Sequence, residues 1–170
     1  ARHDQLAAID GITRPLAENI TRWQDHTDPT AELKKAADLG AHVITAQDDE
    51  YPPALREIHD PPIVLYVRGN LTERDRHAVA VVGSRKATHY ATECAKKLSF
   101  QIAYAGLTIV SGLARGIDTA AHQGALAAKG RTIAVIGSGL GCLYPPENAE
   151  LAERIAASGA VISEFPIDTA

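Results

Sequence analysis

From residue 78 onward, short apolar runs alternate with helix-length segments, and this alternation limits the folds open to the chain more than any other feature. Ala78 to Val82 is closed by Gly83, Leu107 to Val110 by Ser111-Gly112, and Thr132 to Ile136 by Gly137, with a fourth run at Val161 to Ser163. Between them, Thr88 to Ala105, Asp118 to Lys129 and Asn148 to Ala157 carry helical patterns. Runs of three to five residues are too short for buried helices, and strands separated by crossover helices pair in parallel. The expected class is therefore α/β, a doubly wound, mostly parallel sheet with helices on both faces. Within the first of these helices Ala91, Ala95, Leu98, Ile102 and Ala105 recur every three or four residues, which predicts a stripe lying on the sheet.

The preceding segment reads differently. Residues 1–49 are expected to form a small all-helical module, with one helix after Thr13 to Pro15 bearing Leu16, Ile20 and Trp23, and a second from about Pro29 to Leu39. The stretch Ile9-Asp10-Gly11-Ile12-Thr13 through Ala17 and Ile20 resembles the second half of a helix-hairpin-helix motif, with Thr13 in place of its second glycine. Residues 50–170 then make the larger domain. Tyr51-Pro52-Pro53 and Asp60-Pro61-Pro62 bracket a short helix containing Leu55 and Ile58, and Ile63 to Val67 reads as a strand ending at Gly69-Asn70.

Composition excludes several classes. With 170 residues, 45% hydrophobic and 22% charged, the chain can bury a core, which argues against long disorder and a coiled coil. Its longest apolar runs fall far short of the ~20 residues that cross a bilayer, so no membrane partner is expected. Cys94 and Cys142 are too few for a disulfide scaffold and have no metal-ligand spacing, which suggests a reduced, cytoplasmic setting; no metal or cofactor is expected. A chain that begins at Ala1 and contains no methionine reads as part of a longer product. The net charge of −4 argues at first sight against nucleic acid. Divided by region the charge tells another story: residues 1–82 carry −5, residues 83–131 carry +5, and residues 132–170 carry −4. A basic stretch between acidic flanks leaves a local phosphate-binding surface open.

Ligands of open parallel sheets bind beyond the carboxyl ends of the strands, and three loops fall there. In Gly83-Ser84-Arg85, glycine allows close approach, the hydroxyl can bond a phosphate oxygen and the guanidinium offers a planar donor fork. The plain alternative is a turn with a solvated arginine. Ser111-Gly112-Leu113-Ala114-Arg115-Gly116-Ile117-Asp118 opens a helix, and its glycines can shape an amide nest, with Asp118 expected as the helix N-cap. It lacks the Gly-Lys-Ser/Thr ending of a Walker A loop. In Gly137-Ser138-Gly139-Leu140-Gly141-Cys142, Cys142 stands where a dinucleotide fingerprint has its third glycine, and Pro145-Pro146 stops a helix from following directly, so a nicotinamide or flavin is not expected. Free amides at that strand end are expected instead. His122 and Cys94 read as packed side chains, and Glu164 has no identifiable catalytic partner.

These loops, in this order and followed by Ser163-Glu164-Phe165-Pro166, resemble the DNA-processing protein A family, also called Smf. The likeness extends over Tyr51-Pro52 with Leu55, Pro62 with Leu65-Tyr66 and Gly69, Val81 to Arg85, Ser111 to Asp118, Ala121-His122, Gly137 with Gly139, Tyr144-Pro145 and Asn148. The chain departs from the family at Gly141, usually an aspartate, and at Ala91, usually a glycine. The resemblance implies an extended Rossmann-like domain after a small sterile-alpha-motif-like module. It also implies non-catalytic binding of single-stranded DNA in natural transformation, competence and recombination, where such proteins protect incoming strands and help load the RecA recombinase. By position, the contacts would come from Gly83, Ser84 and Arg85, from Ser111, Gly112, Ala114, Arg115 and Gly116, and from Gly137, Ser138 and Gly139. The family's dimer and recombinase surfaces lie mainly beyond the segment matched here. Two alternatives share the fold: a nucleotide-processing phosphoribohydrolase, whose Pro-Gly-Gly-x-Gly-Thr-x-x-Glu loop is absent here, and a small-nucleotide sensor.

Overall fold

A computed structural model describes residues 3–25 and 27–170. Its contacts divide the chain into two units, residues 1–32 and 33–170, and the division falls inside one helix. In the first unit, α1 (His3–Ala7) is followed by α2 (Arg14–Thr21), whose start is fixed by Pro15 in its first turn and by Thr13, which accepts a bond from the Leu16 amide. Gly11 supplies the positive φ of the intervening turn. Helix α3 (Pro29–Asp38) carries the chain from one unit into the other.

The second unit is built on one six-stranded sheet: β1 (Ala41–Thr45), β2 (Val64–Gly69), β3 (Ala78–Ala80), β4 (Thr108–Ser111), β5 (Thr132–Val135) and β6 (Ala160–Ser163). Their spatial order is β1-β2-β6-β5-β4-β3. The four strands expected from residue 78 onward pair in parallel, while β2 runs antiparallel to β6 and β1 antiparallel to β2. Residues 41–45, read from sequence as part of the helical segment, are thus the sheet's edge strand. Its pairing partner lies more than twenty residues away, Val43 opposite Tyr66, so local periodicity could not reveal it.

Each step from β3 to β6 moves one place in the same direction. Right-handed crossovers therefore put α5 (His89–Tyr104), α6 (Ile117–Ala127) and α7 (Ala149–Ser158) on one face. Beneath α7 lie Ala134, Ile136 and Val161, against Leu151, Ala152 and Ile155. Side chains of opposite parity, Leu65, Val67, Ile133 and Ile162, form the second face, where Tyr51 and Leu55, the latter from the short α4 (Pro53–Arg56), cover them. Tyr51 is fully buried, and its hydroxyl donates to the Pro62 carbonyl at 2.7 Å.

Helix α5 sits differently from its sequence stripe. Its buried positions are Ala95, Ser99 and Ala103, whereas Leu98 is 52% exposed and Cys94 is also exposed rather than packed. The reason is a close helix crossing: a Cβ on Gly124 of α6 would collide with the Lys96 carbonyl oxygen of α5. Only small side chains fit such a seam, so α5 buries its small residues and leaves Leu98, Phe100 and Tyr104 outward, with Ile102 partly buried. Both ends of α5 are capped. Thr88 accepts from the Ala91 amide at 3.2 Å, and Gly106, at positive φ, closes the last turn through Gly106 N–H to Ala103 O and Leu107 N–H to Ile102 O.

Two polar clusters tie the layers together. Asp75 and Arg131, with side chains 10% and 15% exposed, form an ion pair that also receives the Thr72 amide and the Thr108 hydroxyl, while Arg131 reaches the Asn70 and Ser158 carbonyls. Burial alone would raise the Asp75 pKa, but these bonds hold it below the ordinary aspartate value. The second cluster centres on His122, which is fully buried. The Thr132 hydroxyl donates to the Ile109 carbonyl at 2.9 Å and so accepts from His122 Nδ1–H at 2.7 Å, fixing a neutral ring.

Burial pushes the His122 pKa down to about 4, with the Ser111 backbone offsetting only part of this. Because the folded value lies below the unfolded one, the histidine's contribution is complete above about pH 6.5 and disappears as pH falls toward 4. That span corresponds to about 3 kcal/mol. Urea unfolding between pH 7 and 4 should show this loss in the parent chain and a flatter profile in His122→Asn; parallel profiles would show that His122 does not titrate in this way.

Candidate nucleic-acid interface

The carboxyl ends of β3, β4 and β5 open into the three loops. The first two are locked together by one glycine. Gly116 has φ +79°, and a Cβ there would collide with the Ser84 carbonyl oxygen and lie 3.0 Å from that of Arg85. Beside it the Ile117 amide donates to the Ser84 carbonyl at 3.3 Å, and a Cβ on Gly83 would sit 2.7 Å from the Ile117 side chain. Loop 83–86 therefore rests directly on the start of α6, backbone against backbone at Gly116 and against the Ile117 side chain at Gly83.

Asp118 acts from inside the helix. Gly116 is the N-cap of α6, and the buried Asp118 carboxylate reaches back to the Ala114 amide at 3.3 Å and closes over Gly112, correcting the expectation that Asp118 is itself the cap. A carboxylate already occupies that part of the amide nest. Thr119 bonds the Ala114 carbonyl at 2.7 Å, and buried Asn148 donates to the Leu113 carbonyl at 2.8 Å and to the Thr119 hydroxyl at 2.9 Å. The loop's backbone is thus fastened from α6 and from the turn before α7, with the Arg115 side chain exposed at its tip.

The expected contact residues differ in what they offer a ligand. Arg85 is exposed and forms no ion pair among the described residues, as does its neighbour Lys86; Ser84 is exposed and accepts the Lys86 amide at 3.1 Å. Arg115 is also at the surface, across the Gly116 contact from Arg85. Gly83, Gly112 and Gly116 serve as close-approach positions. Ser111 and Ser138 are buried: the Ser111 hydroxyl donates to the Val81 carbonyl at 2.6 Å, and the Ser138 carbonyl accepts from Ser163 Oγ at 2.7 Å. Ala114 and Gly139 have their amides occupied, the first by Asp118 and the second by the Thr169 carbonyl at 2.7 Å. Gly141 likewise donates to Ile167. Two of the third loop's amides are therefore spent on residues 167–169. At Gly137 the surface is open, and a Cβ there would meet nothing within 4 Å.

Three residues outside the expected set enter the site. Lys86 follows Arg85 directly, and its position in a basic loop was the available signal. Glu147, from the turn Pro146–Asn148, forms a two-pronged ion pair with Arg115: Nε–H donates to Oε1, and Nη2–H to Oε2 at 3.0 Å. Tyr144 completes the group, accepting from Arg115 Nη1–H at 2.9 Å while its ring lies 5.3 Å beneath the guanidinium carbon. The ion pair raises the Arg115 pKa further and lowers that of Glu147, so both are charged across the physiological range. The site's chemistry is therefore anion recognition by guanidinium, ammonium and hydroxyl groups, with an aromatic ring alongside.

Comparison with known proteins gives a consistent answer. Residues 42–170 match the family model of DNA recombination-mediator protein A. A Smf protein of Synechocystis is 39% identical over 98% of this chain and 43% of its own length. The DNA processing protein DprA of Bacillus subtilis is 39% identical over 93% of this chain and 58% of its own. This chain thus spans about half the length of these relatives. Among solved structures, DNA processing protein A from Streptococcus pneumoniae superposes with a TM-score of 0.82 at 36% identity, covering all of this chain and 58% of that one. The Helicobacter pylori DNA processing protein A, described for its unique single-stranded DNA binding mode, matches 75% of this chain and 58% of that one, with a TM-score of 0.65 and 32% identity. With the family model matched over residues 42–170 and relatives 39% identical over nearly its whole length, the chain belongs to the DNA recombination-mediator protein A family.

Proposed function

We propose that this chain binds single-stranded DNA without catalysis, gripping backbone phosphates at the carboxyl ends of β3 and β4, and serves recombination during natural transformation. The observation that carries the reading is the Gly116 contact, which places Ser84, Arg85, Lys86 and Arg115 on one rigid platform within the chain's basic stretch. The single-stranded DNA binding described for the Helicobacter pylori relative supports it. Protection of strands, dimer formation and help in loading RecA belong to the same proposal for the longer protein.

Two experiments test the reading. In anisotropy titrations with oligo-thymidine, Arg85→Ala should weaken binding roughly three- to tenfold whatever the base composition, and reduce the log-log salt slope by about 0.7, one single-strand phosphate contact. Unchanged affinity and slope would remove Arg85 from the interface. Gly116→Ala places a Cβ against two carbonyls at a backbone conformation that favours glycine, a strain of about 1–3 kcal/mol. Urea unfolding should register that loss, and oligo-thymidine affinity should fall further than in Arg85→Ala because both loops shift. Parent-like affinity in Gly116→Ala would show that the platform does not set the site.

A further inference from the structure

Arg115 and Arg85 sit on the same platform, yet only one of them is free. The Nε–Nη2 edge of Arg115 holds the Glu147 carboxylate in the two-pronged geometry that a phosphate would adopt, and the neighbouring Nη1 and ring face are held by Tyr144. Arg115 and Glu147 lie far apart in the chain, on separate loops, so nothing local forces them to meet. Their side chains are 48% and 53% exposed. An ion pair so open to water is weak, and a competing anion can exchange with it.

We propose that Glu147 is an internal stand-in for the DNA phosphate: it occupies Arg115 in the unbound protein and is displaced when a strand enters, with Arg85 and Lys86 making the first contacts. This rests on the reading of the platform as a phosphate site. Tyr144 keeps the guanidinium in place during the exchange, since its ring and hydroxyl need not move when Glu147 leaves. The arrangement also favours continuous strands over isolated anions. A free phosphate must compete with Glu147 unaided, whereas a strand anchored at Arg85 presents its next phosphate at high effective concentration.

The test is a set of anisotropy titrations of the 170-residue chain with oligo-thymidine. Glu147→Gln should tighten binding roughly three- to tenfold at low salt, steepen the salt slope by up to about 0.7, and lose its advantage as salt rises. Glu150→Gln, which neutralises an exposed carboxylate in the first turn of α7, should change affinity less than twofold. In an Arg115→Ala background the gain from Glu147→Gln should disappear. Weaker binding by Glu147→Gln would make Glu147 a positioning residue for Arg115 and overturn the proposal, as would an unchanged affinity or a gain that persists without Arg115. If Arg115→Ala alone leaves binding intact, the failure lies in the phosphate-site reading at Arg115, and the exchange falls with it.

Discussion

Everything at the proposed interface depends on the absence of one side chain. Gly116 lets the start of α6 approach the Ser84 and Arg85 carbonyls more closely than any Cβ would permit, and its positive φ turns the chain into the helix at that point. Because the contact is backbone against backbone, it fixes the relative position of loops 83–86 and 112–116 without using the side chains that meet a ligand. Asp118, Thr119 and Asn148 then fasten the second loop's remaining polar groups. The backbone of a binding surface built this way has little to reorganise when phosphate arrives, and the exchange at Arg115 is left to side chains.

The platform is only as steady as the helix behind it. Helix α6 is held at its depth by His122, whose bond to Thr132 links it to β5 and through the Ile109 carbonyl to β4. Its outer side is pressed against α5 across the Gly124 crossing. At the other end of the sheet the Asp75–Arg131 pair joins the turn before β3 to the starts of β4 and β5. The pair is largely enclosed, with side chains 10% and 15% exposed, which makes this cluster a structural support distant from the loops. The overall negative charge is compatible with phosphate binding because the basic residues are concentrated in residues 83–131.

The sequence made the repeating part legible. Strand-then-glycine-then-helix punctuation located β3 to β6 and α5 to α7 within a residue or two, because each signal is local. What escaped depends on distant partners. Strand β1 is a five-residue segment whose identity comes from pairing with β2. The face α5 buries follows from a glycine on another helix, not from its own hydrophobic stripe. Asp118 and Gly139 illustrate the same limit within the site: an N-terminal aspartate reads as a cap and a glycine-rich loop reads as free amides, until the folded chain supplies Ala114 and Thr169 as their partners. Glu147 was invisible because an exposed glutamate has no local signature of an ion pair with a distant arginine.

The central claim is that loops 83–86 and 114–117 act as one phosphate-binding unit, and amide chemical-shift mapping during an oligo-thymidine titration tests it most directly. The account predicts that resonances of Gly83 to Lys86 and of Ala114 to Ile117 shift together along a single binding curve, with Tyr144 and Glu147 following them, while buried Ser138 and Gly139 move little. Shifts concentrated on the outer face of α5 or in residues 3–25, with both loops unperturbed, would contradict it.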